Sequence, residues 1–491
     1  MNKNDQYLRR PDMDLPRSIR YRPYQEWSKE AYQAIQQKVA QSLWRSHFHI
    51  EARTGLLNDP NGFSYFAGSF QLFYQNWPFG AAHGLKQWVH TTSTDLVHFT
   101  ETKTRLLPDH QNDSHGAYSG SAYPIGDKLF LCYTGNVRSK DWVRHPLQIG
   151  AWMDQSGHIT KCEQVLIDKP DDVTEHFRDP QLFTYQDQLY AIIGAQNLQQ
   201  QGIIKLYKAN NNDVTSWQFV ADLDFDDSGT AYMIECPNLV FIEDKPVLIF
   251  CPQGLAKSEL DYQNIYPNTY KVFQTFDPKR RKLLGGGPIQ NLDFGFEAYA
   301  TQAFNSPDGR VLAVSWIGLP DIDYPTDKYA YQGALSLVKE LRLKNGRLHQ
   351  APVPALSKLR DKAQPFQNKK NSSNCYELAL TIEAQQATEL LLFADTQHKG
   401  LKLTVDTCKG QLTIDRSKAG AQYAQEFGAK RSCQIPVNRA TLNIYVDKSI
   451  LEIFVNQGEA VLTSRVFPNE GQSGIELLKG QVSGYYYEMR Y

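Results

Sequence analysis

The stretch Arg53-Thr54-Gly55-Leu56-Leu57-Asn58-Asp59-Pro60-Asn61-Gly62-Phe63 decides how the rest of the chain is interpreted. Its centre, residues 58–62, is typical of a turn, because Pro restricts φ, Gly admits positive φ, and Asn and Asp bond to their own backbone. By itself this pentapeptide predicts a surface loop that contains an acid. Similar acidic segments recur later, however, at corresponding places of a repeat.

The repeat consists of a short apolar run, a tight polar turn and a second apolar run, a pattern that predicts a β-hairpin. Its turns begin, at spacings of 58, 60, 57 and 65 residues, near Gly68, Gly126, Gln186, Glu243 and Asp308. Five units of this length predict four-stranded blades around an axis, so the expected fold is all-β with a five-bladed β-propeller. One large sandwich is the alternative, but regular spacing over about 300 residues favours the propeller.

The length of 491 residues predicts more than one domain. Short runs of alternating apolar and polar residues near the C-terminus predict a β-sandwich after the propeller. A Pro-containing polar stretch between the two predicts a linker. The expected division is an N-terminal extension with a short helix (1–45), the propeller (46–345), the linker (346–374) and the sandwich (375–491).

The helix of the N-terminal extension is predicted over residues 24–43. Trp27, Ala31 and Ile35 begin an apolar stripe that recurs every fourth residue. Such a stripe predicts a helix that packs against the main domain.

The composition indicates a globular protein without a strong charge preference. Hydrophobic residues make up 41% and charged residues 21%, and the net charge is -1. We therefore expect neither a nucleic-acid nor a membrane partner. The first residues lack the apolar region of a secretory signal, and the seven cysteines are dispersed without CxxC spacing, which favours a cytoplasmic location. No phosphate-binding Gly loop or metal-ligand spacing is present, so we expect no cofactor and no metal.

Three carboxylates occupy similar places before the hairpin turns. Asp59 lies 9 residues before its turn, Asp179 lies 7 before, and Glu235 lies 8 before. Similar positions in a propeller lie at a similar radius, so these side chains should converge in the central funnel. Convergent carboxylates are typical of glycoside hydrolysis, in which one attacks the anomeric carbon and another protonates the leaving oxygen. Arg178 should help to keep Asp179 ionised, but the residue types alone do not assign the roles.

The ordered motifs of the chain resemble glycoside hydrolase family 32, which includes invertases, fructanases and sucrose-6-phosphate hydrolases. The matching segments, from about residue 47 to the end, are Leu57-Asn58-Asp59-Pro60-Asn61-Gly62, Leu72-Phe73-Tyr74-Gln75, Ser93-Thr94-Asp95-Leu96-Val97-His98-Phe99, Tyr118-Ser119-Gly120-Ser121, Phe177-Arg178-Asp179-Pro180, Glu235-Cys236-Pro237, Asp323-Tyr324-Pro325-Thr326-Asp327 and Asp447 through Val455. The family's five-bladed propeller and C-terminal sandwich agree with the repeat.

The resemblance implies a retaining β-fructofuranosidase. Asp59 would be the nucleophile that forms a covalent fructosyl-enzyme. Glu235 would be the general acid and then the base, and Asp179 would bind fructose hydroxyls and stabilise the transition state. The sugar-contacting positions implied by the motifs, together with two candidate aromatic walls, are Asn58, Gln75, Tyr118, Ser119, Arg178, Trp88 and Trp316.

The absence of a secretory signal, the N-terminal helix and the His83-Gly84 pair are features that resemble bacterial sucrose-6-phosphate hydrolases. Sucrose 6-phosphate, sucrose or both are the expected substrates, and Lys86, Arg138 and Lys140 are candidates for binding a phosphate. An exo-fructanase or a fructosyltransferase acting on fructo-oligosaccharides is the alternative within the family. A non-catalytic carbohydrate-binding propeller is the alternative from another class.

Overall fold

The structure, a computed structural model, describes residues 15–491. Two α-helices, α1 (Arg17–Arg20) and α2 (Lys29–Val39), precede a chain built mainly of strands. The Ser28 side chain caps α2 by accepting a hydrogen bond from the backbone N of Ala31 at 3.1 Å. The helix is shorter than predicted because Trp27, just before the cap, has an extended backbone. Residues 1–14 of the predicted N-terminal extension lie outside the described residues.

Five sheets follow one another along the chain. The first contains β1 (Gly55–Phe66), β2 (Ser69–Trp77), β3 (Gln87–Ser93) and β4 (Thr100–Leu106). The second contains β5 (Ala117–Ile125), β6 (Lys128–Arg138), β7 (Arg144–Met153) and β8 (Ile159–Lys161). The third contains β9 (Val173–Tyr185), β10 (Gln188–Asn197), β11 (Gly202–Ala209) and β12 (Trp217–Asp222).

The fourth sheet contains β13 (Met233–Ile242), β14 (Lys245–Gln253), β15 (Thr269–Val272) and, after a hairpin of β16 (Thr275–Asp277) and β17 (Lys282–Leu284), β18 (Gln290–Asn291). The fifth contains β19 (Tyr299–Asn305), β20 (Val311–Ile317), β23 (Lys339–Lys344) and β24 (Arg347–Pro352), and β22 (Ala334–Leu335) also pairs with β20. Between β20 and β22 in the chain, β21 (Tyr331–Gln332) pairs in parallel with β1. A segment within the fifth blade thereby joins the first sheet.

The first strands of the five sheets, β1, β5, β9, β13 and β19, contact one another in cyclic order, as the blades of a propeller do. We name the inter-blade ring the five side chains on these strands that accept a hydrogen bond from the backbone of an adjoining blade. Asn61 accepts from Gly120 N (2.9 Å), Ser121 from Leu182 N (3.0 Å), Gln181 from Leu239 N (3.1 Å), Asn238 from Ala303 N (3.2 Å) and Gln302 from Phe63 N (2.7 Å). The last of these bonds closes the ring.

Two six-stranded sheets form the C-terminal sandwich. One has the strand order β25 (Gln364–Pro365), β36 (Ser483–Glu488), β27 (Cys375–Ile382), β32 (Ala440–Asp447), β33 (Ile450–Val455) and β34 (Ala460–Arg465). The other has the order β26 (Lys369–Asn371), β35 (Gly474–Lys479), β28 (Ala387–Ala394), β29 (Leu401–Asp406), β30 (Gln411–Asp415) and β31 (Lys430–Gln434). Their apolar faces share one buried core.

Residues 346–374, predicted as a linker, include regular structure. Strand β24 still belongs to the fifth blade, while β25 and β26 are edge strands of the two sandwich sheets. Their backbone groups find partners at exposed sheet edges, where Pro and polar residues are tolerated. No helix among residues 15–491 has the length and apolar composition needed to cross a membrane.

A buried charged cluster joins the sandwich to the start of the first blade. The Asp447 carboxylate accepts backbone hydrogen bonds from His47 (2.7 Å), Phe48 (2.8 Å) and His49 (2.9 Å). The His49 ring also contacts Asp447 and Glu452, at 3.0 and 3.1 Å. Burial would lower the pKa of His49, but the two carboxylates outweigh it and raise this pKa to about 9. The imidazolium therefore forms a charged link between the two β-domains.

Replacing Gln302 tests the inter-blade ring. Its amide also donates to Gly120 O at 2.8 Å, so Gln302→Ala leaves two buried backbone groups unpaired. We expect a loss of about 2–5 kcal/mol in the free energy of unfolding, measured as a lower Tm by calorimetry. The control Gln41→Ala changes an exposed side chain. A Tm for Gln302→Ala equal to that of the control would show that the ring contributes little.

Candidate active site

Each inner strand of the propeller contains a bulge at the same place. On β1, Leu57 pairs with Asn76 and Pro60 pairs with Tyr74, so that two residues lie opposite Gln75 alone. Equivalent shifts occur on the other four inner strands. The bulged pairs are Asn58 and Asp59, Tyr118 and Ser119, Asp179 and Pro180, Cys236 and Pro237, and Ala300 and Thr301.

The bulges correct the interpretation of the opening stretch as a loop. Residues 58–62 lie within β1, and the Pro and Gly that suggest a turn belong to an irregular strand. The acids are also not strictly equivalent by register. Asp59 is the second residue of its bulge, and Asp179 is the first residue of its own. Glu235 directly precedes the bulge formed by Cys236 and Pro237. A bulge redirects side chains locally, which brings these non-equivalent positions to one site.

Three donors surround the carboxylate of Asp59. Asn58 Nδ2 donates to Oδ1 at 3.0 Å, and Gln75 Nε2 and Ser119 Oγ donate to Oδ2 at 3.2 and 2.5 Å. Gln75 also donates to Ser119 Oγ. Asn58, Gln75 and Ser119, all predicted as site residues, thus fix the orientation of Asp59.

Four donated hydrogen bonds surround the carboxylate of Glu235. Arg178 donates to Oε1 from Nε at 3.0 Å and from Nη2 at 2.6 Å. Oε2 accepts from Gln253 Nε2 and Tyr299 Oη, each at 2.7 Å. Gln253 and Tyr299 are absent from the sequence prediction, because a Gln at a strand end and a Tyr on an inner strand carry no distinctive signal.

Asp179 is buried beside the other two acids, in a backbone conformation with φ of 68°. Its backbone N donates to Thr134 Oγ1, and its Oδ2 accepts from Cys236 N, both at 3.0 Å. Burial raises the pKa of Asp179 to about 7, with the charges of Glu235 and Asp59 adding to the shift and Arg178 opposing it. The contact with Cys236 N places Asp179 beside Glu235, and β5, whose Ser119 bonds to Asp59, lies between β1 and β9.

The pairing of Arg178 differs from the prediction. We expect from the sequence that Arg178 keeps Asp179 ionised, and its charge does lower the pKa of Asp179. The hydrogen bonds of its guanidinium nevertheless go to Glu235, with a further contact of 2.9 Å to His176 Nδ1. Burial of Asp179 exceeds the effect of Arg178, so the net shift is upward.

The two tryptophans predicted as walls of the sugar site do not line it. Trp88 and Trp316 are 0% and 1% exposed. The Trp88 ring packs against Phe73 and Tyr133, and its Nε1 donates to Tyr118 O at 3.0 Å. Both rings lie in strands behind the inner ones, so they support the site from the core.

Two histidines near the site, His83 and His90, have structural partners, and the carbonyl of Tyr118 accepts its hydrogen bond from Trp88. His90 lies between Gln71 Oε1 (2.8 Å) and Thr102 Oγ1 (2.9 Å), and burial lowers its pKa to about 4. His83 O accepts from Arg20 Nη1 at 3.0 Å.

Throughout the part of the chain that the structure describes, no group of three or more His, Cys, Asp or Glu side chains could hold a metal ion.

Two family models match the chain. The model of the glycosyl hydrolases family 32 N-terminal domain matches residues 49–352, and that of the family's C-terminal domain matches residues 340–486. The chain is 64% identical to sucrose-6-phosphate hydrolase of Streptococcus mutans over 479 residues, 98% of this chain and 100% of that protein. It is 47% identical to sucrose-6-phosphate hydrolase of Lactococcus lactis over 466 residues, 93% of this chain and 95% of that protein.

A solved structure gives the same result. Sucrose-6-phosphate hydrolase from Lactobacillus gasseri matches with a TM-score of 0.94 and 41% identity, covering 97% of this chain and 99% of that chain. Propeller, sandwich and clustered carboxylates together define a glycoside hydrolase. The chain belongs to glycoside hydrolase family 32.

Asp179→Asn tests the raised pKa. Because the folded protein binds the proton of Asp179 more tightly than the unfolded chain does, its ionisation destabilises the fold as pH rises from about 4 to about 7. The variant removes this effect. Its free energy of unfolding relative to wild type should therefore increase between pH 4.5 and pH 8, by up to about 4 kcal/mol, and this is measured as a rising difference in Tm. Asp308→Asn should show no trend over this range, because Arg310 lowers the pKa of that exposed carboxyl, which is then ionised in both the folded and the unfolded state. Parallel pH profiles for the two variants would contradict the raised pKa of Asp179.

Proposed function

We propose that this chain is a retaining β-fructofuranosidase that hydrolyses sucrose 6-phosphate, sucrose or both, and releases fructose. The observation that carries the proposal is the cluster of Asp59, Asp179 and Glu235 on three inner strands. A neutral sugar ligand is bound adequately by hydroxyl and amide groups. Crowded carboxylates in a binding module would add electrostatic repulsion without improving the binding of the sugar. In a glycosidase, two of them perform the chemistry.

In the proposed first step, Asp59 attacks C2 of the fructosyl unit while Glu235 donates a proton to the leaving oxygen. The three donors around Asp59 position its oxygens, and the residue remains partly exposed. Glu235 retains 16% exposure of its side chain. It can therefore reach the leaving oxygen and later a water molecule.

In the second step, Glu235 removes a proton from water, which attacks C2 and frees Asp59, with retention of configuration. Asp179 is assigned to the fructose hydroxyls. Its burial makes an isolated charge there costly, and donated hydrogen bonds from the substrate would offset that cost. Substrate binding and ionisation of Asp179 should therefore favour each other.

The names of the relatives support a phosphorylated disaccharide as the substrate. Sucrose-6-phosphate hydrolases from Streptococcus mutans and Lactococcus lactis match over nearly the whole chain. A phosphorylated sugar does not cross membranes freely, so a cytoplasmic location is part of the proposal. Comparison of kcat/KM for sucrose 6-phosphate, sucrose and 1-kestose tests the substrate class, and a clear preference for kestose would instead indicate a fructanase.

Substitution of Asp59 tests the nucleophile. Asp59→Asn keeps the size of the side chain but removes the attacking charge, so kcat should fall by about 10³-fold or more on every fructoside. Rates would be followed by fructose release. Asp308→Asn, on an exposed turn, is the matched control and should retain wild-type kcat. Comparable turnover by Asp59→Asn would exclude a covalent role.

Substitution of Glu235 tests the acid. Glu235→Gln should lower kcat on sucrose by about 10²–10⁴-fold, because the leaving alkoxide no longer receives a proton. An activated aryl fructoside needs little protonation of its leaving group, so its first step should be much less affected and product should appear in a burst. Glu259→Gln, an exposed site, serves as control. Equal losses on both substrates would reject the acid role.

A further inference from the structure

A cluster of basic side chains lies beside the active site, and we name Lys86, Arg138 and Arg144 the cationic rim. Two of its members lie against the ring of Tyr118, and the third, Arg138, lies against the ring of Trp142. Lys86 Nζ lies 5.7 Å and Arg144 Cζ 5.8 Å from the centre of that ring. Burial would raise the pKa of Tyr118, yet the charges of Arg144, Lys86 and Arg138 outweigh it and lower this pKa. The two cationic groups beside the ring make its surroundings positive.

The two arginines of the rim are half-buried and lack the counter-charges expected for cations in such a place. Among residues 15–491, neither Arg138 nor Arg144 forms an ion pair with a carboxylate, and the Nε of each is buried without a hydrogen-bond partner. Arg138 Nη1 donates to the carbonyl of Trp142 at 3.0 Å. Burial lowers the pKa of Arg144, and the neighbouring charges of Arg178 and Arg138 lower it further, against Tyr118 and Glu175. Unpaired buried donors of this kind are costly unless a ligand satisfies them.

The N-terminal segment holds the outer part of the rim in place. Tyr21 packs edge-on against Trp142, with ring centres 4.9 Å apart, and lies next to Tyr118. Trp142 is also contacted by the guanidinium groups of Arg138 at 5.0 Å and Arg17 at 4.9 Å. The rim is therefore a built site, held by two separate parts of the chain.

The position of the rim relates it to the reaction. Tyr118 shares a bulge with Ser119, whose hydroxyl donates to Asp59. On its other side, the backbone N of Arg144 donates to Glu175 Oε2 at 3.3 Å, three residues before Arg178 on β9, and Arg178 bonds to Glu235. An anion at the rim would be near the acid–base residue, on the side where the leaving group departs.

We propose that Lys86, Arg138 and Arg144, with the hydroxyl of Tyr118, bind the phosphate of a phosphorylated leaving group. This inference rests on the proposed function and adds to it the residues that select a phosphorylated sugar. Two arginine forks and an ammonium match a phosphate dianion in charge and geometry. Lys140, a candidate from the sequence, is exposed in the turn after β6 and is not assigned to the site.

The test compares kcat/KM for sucrose 6-phosphate and for sucrose in wild type, Arg144→Gln and Arg138→Gln. The ratio of the two values should fall roughly 10–100-fold in each variant, mainly through a higher KM for sucrose 6-phosphate. Arg144→Lys should recover part of the ratio, since it keeps the charge and loses the fork. Arg342→Gln, on an exposed arginine that pairs with Glu340, should leave the ratio unchanged.

An inhibition experiment distinguishes a sugar phosphate from free phosphate. Glucose 6-phosphate should inhibit wild type more strongly than glucose or inorganic phosphate, and Arg144→Gln should remove the advantage over glucose. Inhibition by inorganic phosphate as strong as that by glucose 6-phosphate would overturn the assignment to the leaving group.

The outcomes also separate this inference from the proposed function. An unchanged ratio in Arg144→Gln and Arg138→Gln, or equal losses on both substrates, overturns the phosphate site while leaving the fructofuranosidase intact. Failure of wild type to release fructose from either substrate overturns the proposed function, and the phosphate site with it.

Discussion

Five hydrogen bonds from side chains to the backbone of the adjoining blade hold the propeller together at its centre. Each inner strand pairs with the second strand of its own blade, and its other edge faces the neighbouring blade, where β1 also pairs over two residues with β21. Asn61, Ser121, Gln181, Asn238 and Gln302 satisfy backbone donors there. The same strands carry the active-site bulges one or two residues away. Alignment of the three carboxylates therefore depends on interactions between blades.

Electrostatic crowding follows from this arrangement. Three carboxylates and Arg178 share one small volume, and the fold provides donors for each carboxylate: amides and a hydroxyl for Asp59, a guanidinium and a phenol for Glu235, and a backbone amide for Asp179. Asp179 is buried and receives the fewest donors, and its pKa rises to about 7 chiefly because of burial. Burial and the distribution of donors, more than the identity of the acids, separate the environments of the three groups.

The sequence was sufficient for the features that depend on local pattern. Hairpin spacing predicts the propeller, short alternating runs predict the sandwich, and the position of Asp59, Asp179 and Glu235 before the turns predicts their convergence. What it missed depends on side-chain direction and long-range pairing. A bulge and a turn use the same Pro and Gly, so the sequence alone predicts a loop at residues 58–62. Trp88 and Trp316 are buried because of strand order, and the preference of Arg178 for Glu235 arises from a contact across 57 residues.

The closing bond of the propeller also has a consequence for how the protein is made. The backbone N of Phe63 can bond to Gln302 only after another 239 residues have been synthesised, and β1 can pair with β21 only after that segment is made. At a synthesis rate of ~5–20 residues per second, Asp59 emerges from the ribosome on the order of ten seconds or more before its strand has both neighbours. During that time an apolar strand edge remains open. A chain that stops before the fifth blade therefore has all three carboxylates but no enclosed site, and it is a substrate for chaperones and proteases before it is a catalyst.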